Sequence, residues 1–229
     1  MFRHLPGPPR CKLCHNPFGG VGGRIVGLVG FKPSRKNPNL CARCCDTLPP
    51  GGLELDIAVL FADVRGSTEL GERVGASEFA TALGDFYRVA TEVLIREDAI
   101  IDKLIGDEVM ALFIPGIAGP GYRERAAEGA IELIGALSKK CDLRAGAAVT
   151  AGVAYVGNVG SDQVVDFTAL GDTVNIAARL QSFAGAGEVV LTSELYDSVR
   201  GRFPQTDSRS VIVQGRAAPI DIHTLRVAV

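Results

Sequence analysis

The sequence contains no tryptophan and no apolar run near the roughly 20 residues that a membrane-spanning helix requires. The first absence leaves an ordinary globular mix, with 47% apolar and 22% charged residues, too apolar and too balanced in charge for a disordered chain. The second argues against a membrane segment. The opening stretch, MFRHLPGPPRCKLC, lacks the apolar core of a secretory signal, so a cytoplasmic location is the expectation. Acidic residues are missing from one end of the chain. Residues 1–50 hold eight Lys/Arg and a single acid, Asp46, for a net +7; residues 51–229 hold 16 Lys/Arg and 25 acids, for a net -9. The overall charge of -2 is therefore a cancellation. Five of the six cysteines also lie within the first 45 of 229 residues. Both asymmetries predict two modules, 1–50 and 51–229, with different chemistry.

The first module carries two CxxC pairs, Cys11/Cys14 and Cys41/Cys44, separated by 26 residues. Each pair can present two thiolates through a tight turn, and two pairs supply the four ligands of a closed tetrahedral zinc site. The gap is longer than in an ordinary zinc ribbon. Its glycines (19, 20, 22, 23, 27 and 30) suggest a long hairpin or irregular loop. With so few large apolar residues, a structural Zn²⁺ would supply most of the folding free energy. Two disulfides, or unpaired thiols in a flexible tail, are the competing readings; disulfides suit an exported protein. Cys45 reads as a bystander and Cys141 as a small buried side chain. Arg24, Lys32, Arg35, Lys36 and Arg43 offer a basic face. Nucleic acid is one candidate for it. Sparse aromatics, Phe18 and Phe31, favour instead docking on the acidic remainder or a regulatory protein partner. Asp46–Gly52 reads as a linker.

In the second module, Leu55–Ala62 is a near-continuous apolar run fit for a doubly buried strand. Ser77 is a candidate cap for a helix carrying Phe79, Leu83, Phe86, Ala90 and Leu94 at helical spacing. Ala99–Ile105 and Val109–Phe113 predict a hairpin with its tip at Gly106-Asp107. A helix is expected over Arg123–Leu137, then strands at Leu143–Val149 and Gly152–Val156. A further helix follows at Asp172–Phe183, with Val174, Ile176 and Leu180 on its packed side. A strand near Val189–Leu191, a short helix at Glu194–Val199 and a closing pair at Val211–Val213 and Ile220–Leu225 complete the chain. This order predicts an α+β, ferredoxin-like βαββαβ core with extra C-terminal strands and helices.

Asp63 follows the first strand and Asp107 sits at the hairpin tip. In a ferredoxin-like sheet these elements are neighbours, so two carboxylates meet at one sheet end. Such a pair suits Mg²⁺ or Mn²⁺, which take a few carboxylates and keep positions for water and phosphate. The loop Val64–Thr68 leads toward a helix and offers backbone N–H groups to a phosphate chain. Asn175 and Arg179, four apart, share a helix face and can orient a sugar and offset charge on phosphate. An ordinary turn aspartate and an ordinary exposed polar pair are the plain alternatives for each piece taken alone.

Together FADVRGST, KLIGDEVMALF, AGVAYVGNVG, DFTALGDTVNIAARL and QGRAAPIDIHTL resemble the class III adenylyl/guanylyl cyclase catalytic domain, from about Glu54 to Arg226. The resemblance implies that Asp63 and Asp107, with the Val64 carbonyl, hold two Mg²⁺ or Mn²⁺ ions. It implies that Lys103 and Thr168 select the purine, with Lys103 favouring ATP over GTP. Asn175 would orient the ribose, Arg179 stabilise the transition state and Arg216 contact the terminal phosphates. Val149 stands where relatives often carry His. The implied function is an adenylate cyclase that converts ATP to 3′,5′-cyclic AMP and pyrophosphate. Its sites would be shared across a homodimer, one protomer giving the aspartates and the other Lys103, Thr168, Asn175 and Arg179. A guanylate cyclase, or a silent cyclase-fold module that senses nucleotide or binds a partner, are the alternatives.

Overall fold

A computed structural model of the chain describes residues 2–34, 37–45, 51–161 and 165–227. Arg35, Lys36 and linker positions 46–50 lie outside the described residues. The chain divides into two compact units: Met1–Glu54 with Tyr155–Ala169, and Leu55–Ala154 with Leu170–Val229.

The first unit contains α1 (Gly20–Leu28) and α2 (Ala42–Cys45). Two isolated bridges, Arg10 with Pro17 and Pro33 with Cys41, set its backbone. The Arg10 guanidinium donates to the carbonyls of Arg3, Leu5 and His15 at 2.8, 2.6 and 2.9 Å. The glycine-rich stretch between the two cysteine pairs is therefore largely a helix, and the expected hairpin or loop is corrected. The glycines serve close packing more than turning. A Cβ on Gly23 would come within 2.2 Å of the Phe18 backbone, an approach only glycine permits.

The second unit is built on one sheet. Its strands are β1 (Gly51–Val64), β2 (Ile100–Ile105), β3 (Glu108–Phe113), β4 (Ala145–Gly160), β6 (Glu188–Thr192), β7 (Asp207–Val211) and β8 (Ile220–Arg226); β5 (Val165–Leu170) pairs with β4 off the main path. The order is β2-β3-β1-β4-β6-β8-β7. The first strand thus lies beside the hairpin, as the ferredoxin-like reading expects. β1 and β3 are antiparallel, with Asp63 opposite Glu108, and β4 and β6 are parallel. The ends of β1 and β4, and most of β5, fall in the first unit. The predicted break between two strands near Thr150 is absent: β4 runs unbroken for 16 residues.

The helices are α3 (Ser67–Arg73), α4 (Ala76–Arg96), α5 (Pro115–Ala118), α6 (Tyr122–Lys140), α7 (Asp172–Leu180) and α8 (Ser193–Val199). Alternation along the strands sorts the layers. Ala58, Leu60, Ala147, Val149, Val189 and Leu191 pack in one cluster with Phe86, Val93 and Leu94 of α4 and with Ala130, Leu133 and Leu137 of α6. Ala148, Val190 and Ile222 face the opposite side and pack with Leu180 of α7. So α4 and α6 cover one face of the sheet, and α7 lies on the other.

Smaller expectations also shift. Gly75, not Ser77, is the N-cap of α4, because the Phe79 N–H already bonds the Gly75 carbonyl. The α7 helix ends at Leu180 and tightens into a 3₁₀ turn over Gln181–Phe183. Its buried side chains are Thr173, Ala177 and Leu180, with Val174 and Ile176 half-buried. The closing strand covers Asp207–Val211, with Val213 buried beyond its end.

Candidate functional site

Asp63 is the next-to-last residue of β1 and Asp107 occupies the β2–β3 turn, where Gly106 takes φ +59 and makes the tight reversal possible. The Val64 N–H donates to the Asp107 carbonyl at 3.1 Å, locking turn to strand end. Ser67, the first residue of α3, donates its hydroxyl to the Asp107 carboxylate. Two acids thus share one sheet end, as expected from sequence. Burial and the nearby Asp107 charge push Asp63 up to about 6, with Arg65 only partly offsetting them. Glu108, opposite Asp63, is pushed up to about 7 by burial and by both aspartates. A crowded carboxylate group short of counter-charge is the donor set that a hard divalent cation satisfies.

In the sequence Arg65 reads only as part of the loop Val64–Thr68. Its Nη1 donates to Asp63 Oδ2 at 3.2 Å. Its Nη2 donates to the carbonyl and the Oε1 of Gln181 at 2.6 and 2.8 Å. The Gln181 amide in turn donates to Glu108 Oε2 at 3.4 Å. Sequence spacing does not reveal this ring, because Arg65 and Gln181 lie 116 residues apart.

Asn175 and Arg179 both project from the exposed side of α7. The Arg179 guanidinium lies against the backbone at Gly215, where an added Cβ would stand 3.4 Å from Nη1. Arg216, next in sequence, pairs with Asp172 in the first turn of α7. The Gly215-Arg216 turn therefore lies beside the exposed face of α7, where two guanidiniums and the Asp172 carboxylate meet. Lys103 lies on β2, its ammonium 3.1 Å from the buried Asp102 carboxylate, beside a register shift in the ladder with β3. Thr168 is buried on β5, in a segment grouped with the first unit. Val149 is fully buried on β4.

The four sulfurs of Cys11, Cys14, Cys41 and Cys44 all lie within 4.8 Å of one another. Cys14 Sγ and Cys41 Sγ are 3.6 Å apart, far beyond a disulfide bond and close to the roughly 3.8 Å edge of a tetrahedron with 2.3 Å zinc–sulfur bonds. The Cys41 N–H donates to Cys11 Sγ at 3.3 Å and the Asn16 amide to Cys14 Sγ at 3.4 Å. Burial raises the Cys11 thiol, but backbone N–H groups of Cys14, Cys41 and Leu13 outweigh it and hold its pKa below the ordinary value. Burial holds Cys41 up at about 11 and Cys44 higher still. Four sulfurs this close together are a set that can hold zinc.

A model of the adenylate and guanylate cyclase catalytic domain matches residues 54–226. The chain belongs to this family. The cyclase domain is similar to the uncharacterized protein Rv1319c of Mycobacterium tuberculosis, 31% identical over 168 residues, which is 71% of this chain and 29% of that protein. The chain therefore spans under a third of the length of that relative. Among solved structures, the adenylyl cyclase CyaB from P. aeruginosa is 26% identical with a TM-score of 0.69, over 76% of this chain and 95% of that one. The guanylyl cyclase Cya2 has a TM-score of 0.72 over 78% of this chain and all of the other, at 23% identity, and so shares the cyclase fold. No helix among the described residues is long and apolar enough to cross a membrane.

Proposed function

We propose that the cyclase domain, residues 51–229, is an adenylate cyclase that forms 3′,5′-cyclic AMP and pyrophosphate from ATP at sites shared across a homodimer. The observation that carries this reading is the pairing of Asp63 with Asp107 at one sheet end while Asn175 and Arg179 are exposed on the outer face of α7. Asp63, Asp107 and the Val64 carbonyl would hold two Mg²⁺ or Mn²⁺ ions, which when bound neutralise the triphosphate and acidify the ribose 3′-hydroxyl. Lys103 and Thr168 read the purine edge. The Lys103 ammonium is a donor that suits the acceptor nitrogen N1 of adenine. Asn175 orients the ribose. Arg179 meets the charge that develops as the 3′-oxygen bonds to the α-phosphorus and the bond to pyrophosphate breaks. Arg216, drawn from its pair with Asp172, meets the terminal phosphates. The cysteine cluster holds a structural Zn²⁺ and makes residues 1–50 a module for a regulatory protein partner.

Incubating pure chain separately with ATP and GTP, each with Mg²⁺ and Mn²⁺, tests the reading. Cyclic AMP and pyrophosphate in equal amounts are the expected products. Preferred turnover of GTP would instead make it a guanylate cyclase, and no product from either would make it a silent module.

A further inference from the structure

Arg65 is placed more firmly than a loop residue needs. Its backbone N–H donates to the Arg144 carbonyl at 2.7 Å, just before β4. Its side chain is mostly buried, as is that of Asp63. The fork divides in two directions, one arm to the carboxylate of Asp63 and the other to the backbone and side chain of Gln181, the C-cap of α7. This arrangement leaves the buried Arg65 Nε with no partner among the described residues. Gln181 closes the ring through Glu108, which faces Asp63 across the β1–β3 ladder.

A guanidinium suits this double task. Its planar donors are fixed relative to each other, so it transmits position between two acceptors where an ammonium transmits only charge. From this geometry we infer that Arg65 is a positioning residue that ties the C-cap of α7, two residues past Arg179, to the carboxylate centre. It also supplies the positive charge that Asp63 faces when no ion is bound. The inference rests on the reading of Asp63 as a metal ligand and Arg179 as the transition-state group. In the shared-site dimer these two residues of one protomer serve different sites, so the same tether joins the two sites.

The two roles give opposite signs on removal. Arg65→Gln deletes a charge that competes with the cation, and should tighten Mn²⁺ binding about tenfold, the size of effect one adjacent charge has on a carboxylate. The same change frees the end of α7 and should lower kcat by about 10- to 100-fold. A variant that was merely damaged would lose both metal affinity and turnover. Arg65→Lys keeps the charge but not the fork, so its Mn²⁺ affinity should stay within about twofold while kcat falls. Gln181→Ala keeps the backbone acceptor, and should lower kcat severalfold with Mn²⁺ affinity unchanged.

The measurement is calorimetric titration of the full zinc-loaded chain with Mn²⁺ in the absence of nucleotide, alongside steady-state turnover. Tighter Mn²⁺ binding with slower turnover in Arg65→Gln supports the tether. Unchanged or weaker Mn²⁺ binding in a folded Arg65→Gln overturns it. Should that variant fail to fold, full turnover in both Arg65→Lys and Gln181→Ala overturns it. If the wild type makes no cyclic nucleotide, the catalytic reading fails, yet the Mn²⁺ titration still reports on Arg65.

Discussion

In the cyclase unit Phe86, Phe113, Leu60, Leu94, Leu112, Leu133 and Leu137 are fully buried, whereas in the described residues up to Cys45 the buried large aliphatics are Val26 and Leu40. Each of those two contributes about 1.5–3 kcal/mol, little against the entropy of ordering so long a segment. Four thiols within 4.8 Å can fill the gap by holding zinc, since structural zinc binding is worth on the order of 10–16 kcal/mol. The two regions therefore differ in means: one has apolar area, and the other has a cluster of thiols able to hold a metal. The same contrast governs function. The apolar unit can hold an unfavourable carboxylate cluster in place because its sheet is secured elsewhere.

The largest expected effect is removal of the metal. Cys41→Ser, or a strong chelator, should abolish the dispersed amide signals of residues 2–45 while the thermal transition of the cyclase unit persists. Retention of those signals under saturating chelator would show that the first unit stands without metal. Next in size is Phe113→Ala, which should cost the cyclase unit about 3–5 kcal/mol in denaturant titration while leaving bound zinc unchanged.

The smallest effect is electrostatic. Asp63 at about 6 and Glu108 at about 7 are both raised above their unfolded values, which lie near 4. Each favours the folded state fully below its unfolded pKa, and that contribution is lost as pH rises through the folded value. The melting temperature of the cyclase unit without divalent ions should therefore fall as pH rises from about 4 to about 7. Asp63→Asn should flatten the part near pH 6, and saturating Mn²⁺ should reverse the trend. A flat profile in the wild type would contradict the crowding of these acids.

Much of this was legible in the chain. The apolar run of β1, the Gly106-Asp107 turn and the heptad-like spacing of α4 each express local physics, and the paired aspartates follow from the strand order they imply. The cysteine cluster was legible as spacing. The α1 helix was not, because its glycines argue locally for a loop and only close packing against Phe18 explains them. The unbroken β4 was also missed, since small residues around Thr150 mimic a turn. Arg65, Gln181 and Glu108 form a site only through tertiary contacts, and no periodicity marks residues that meet across 116 positions.

The central claim is that one protomer's carboxylates work with the other's α7. Asp63→Ala and Arg179→Ala should each be nearly inactive, Arg179→Ala by about 10²–10³ in kcat as for loss of one transition-state donor. Mixed together, the two variants should regain cyclic AMP formation, because each heterodimer carries one intact site. A mixture that stays inactive although heterodimers demonstrably form would contradict the shared site.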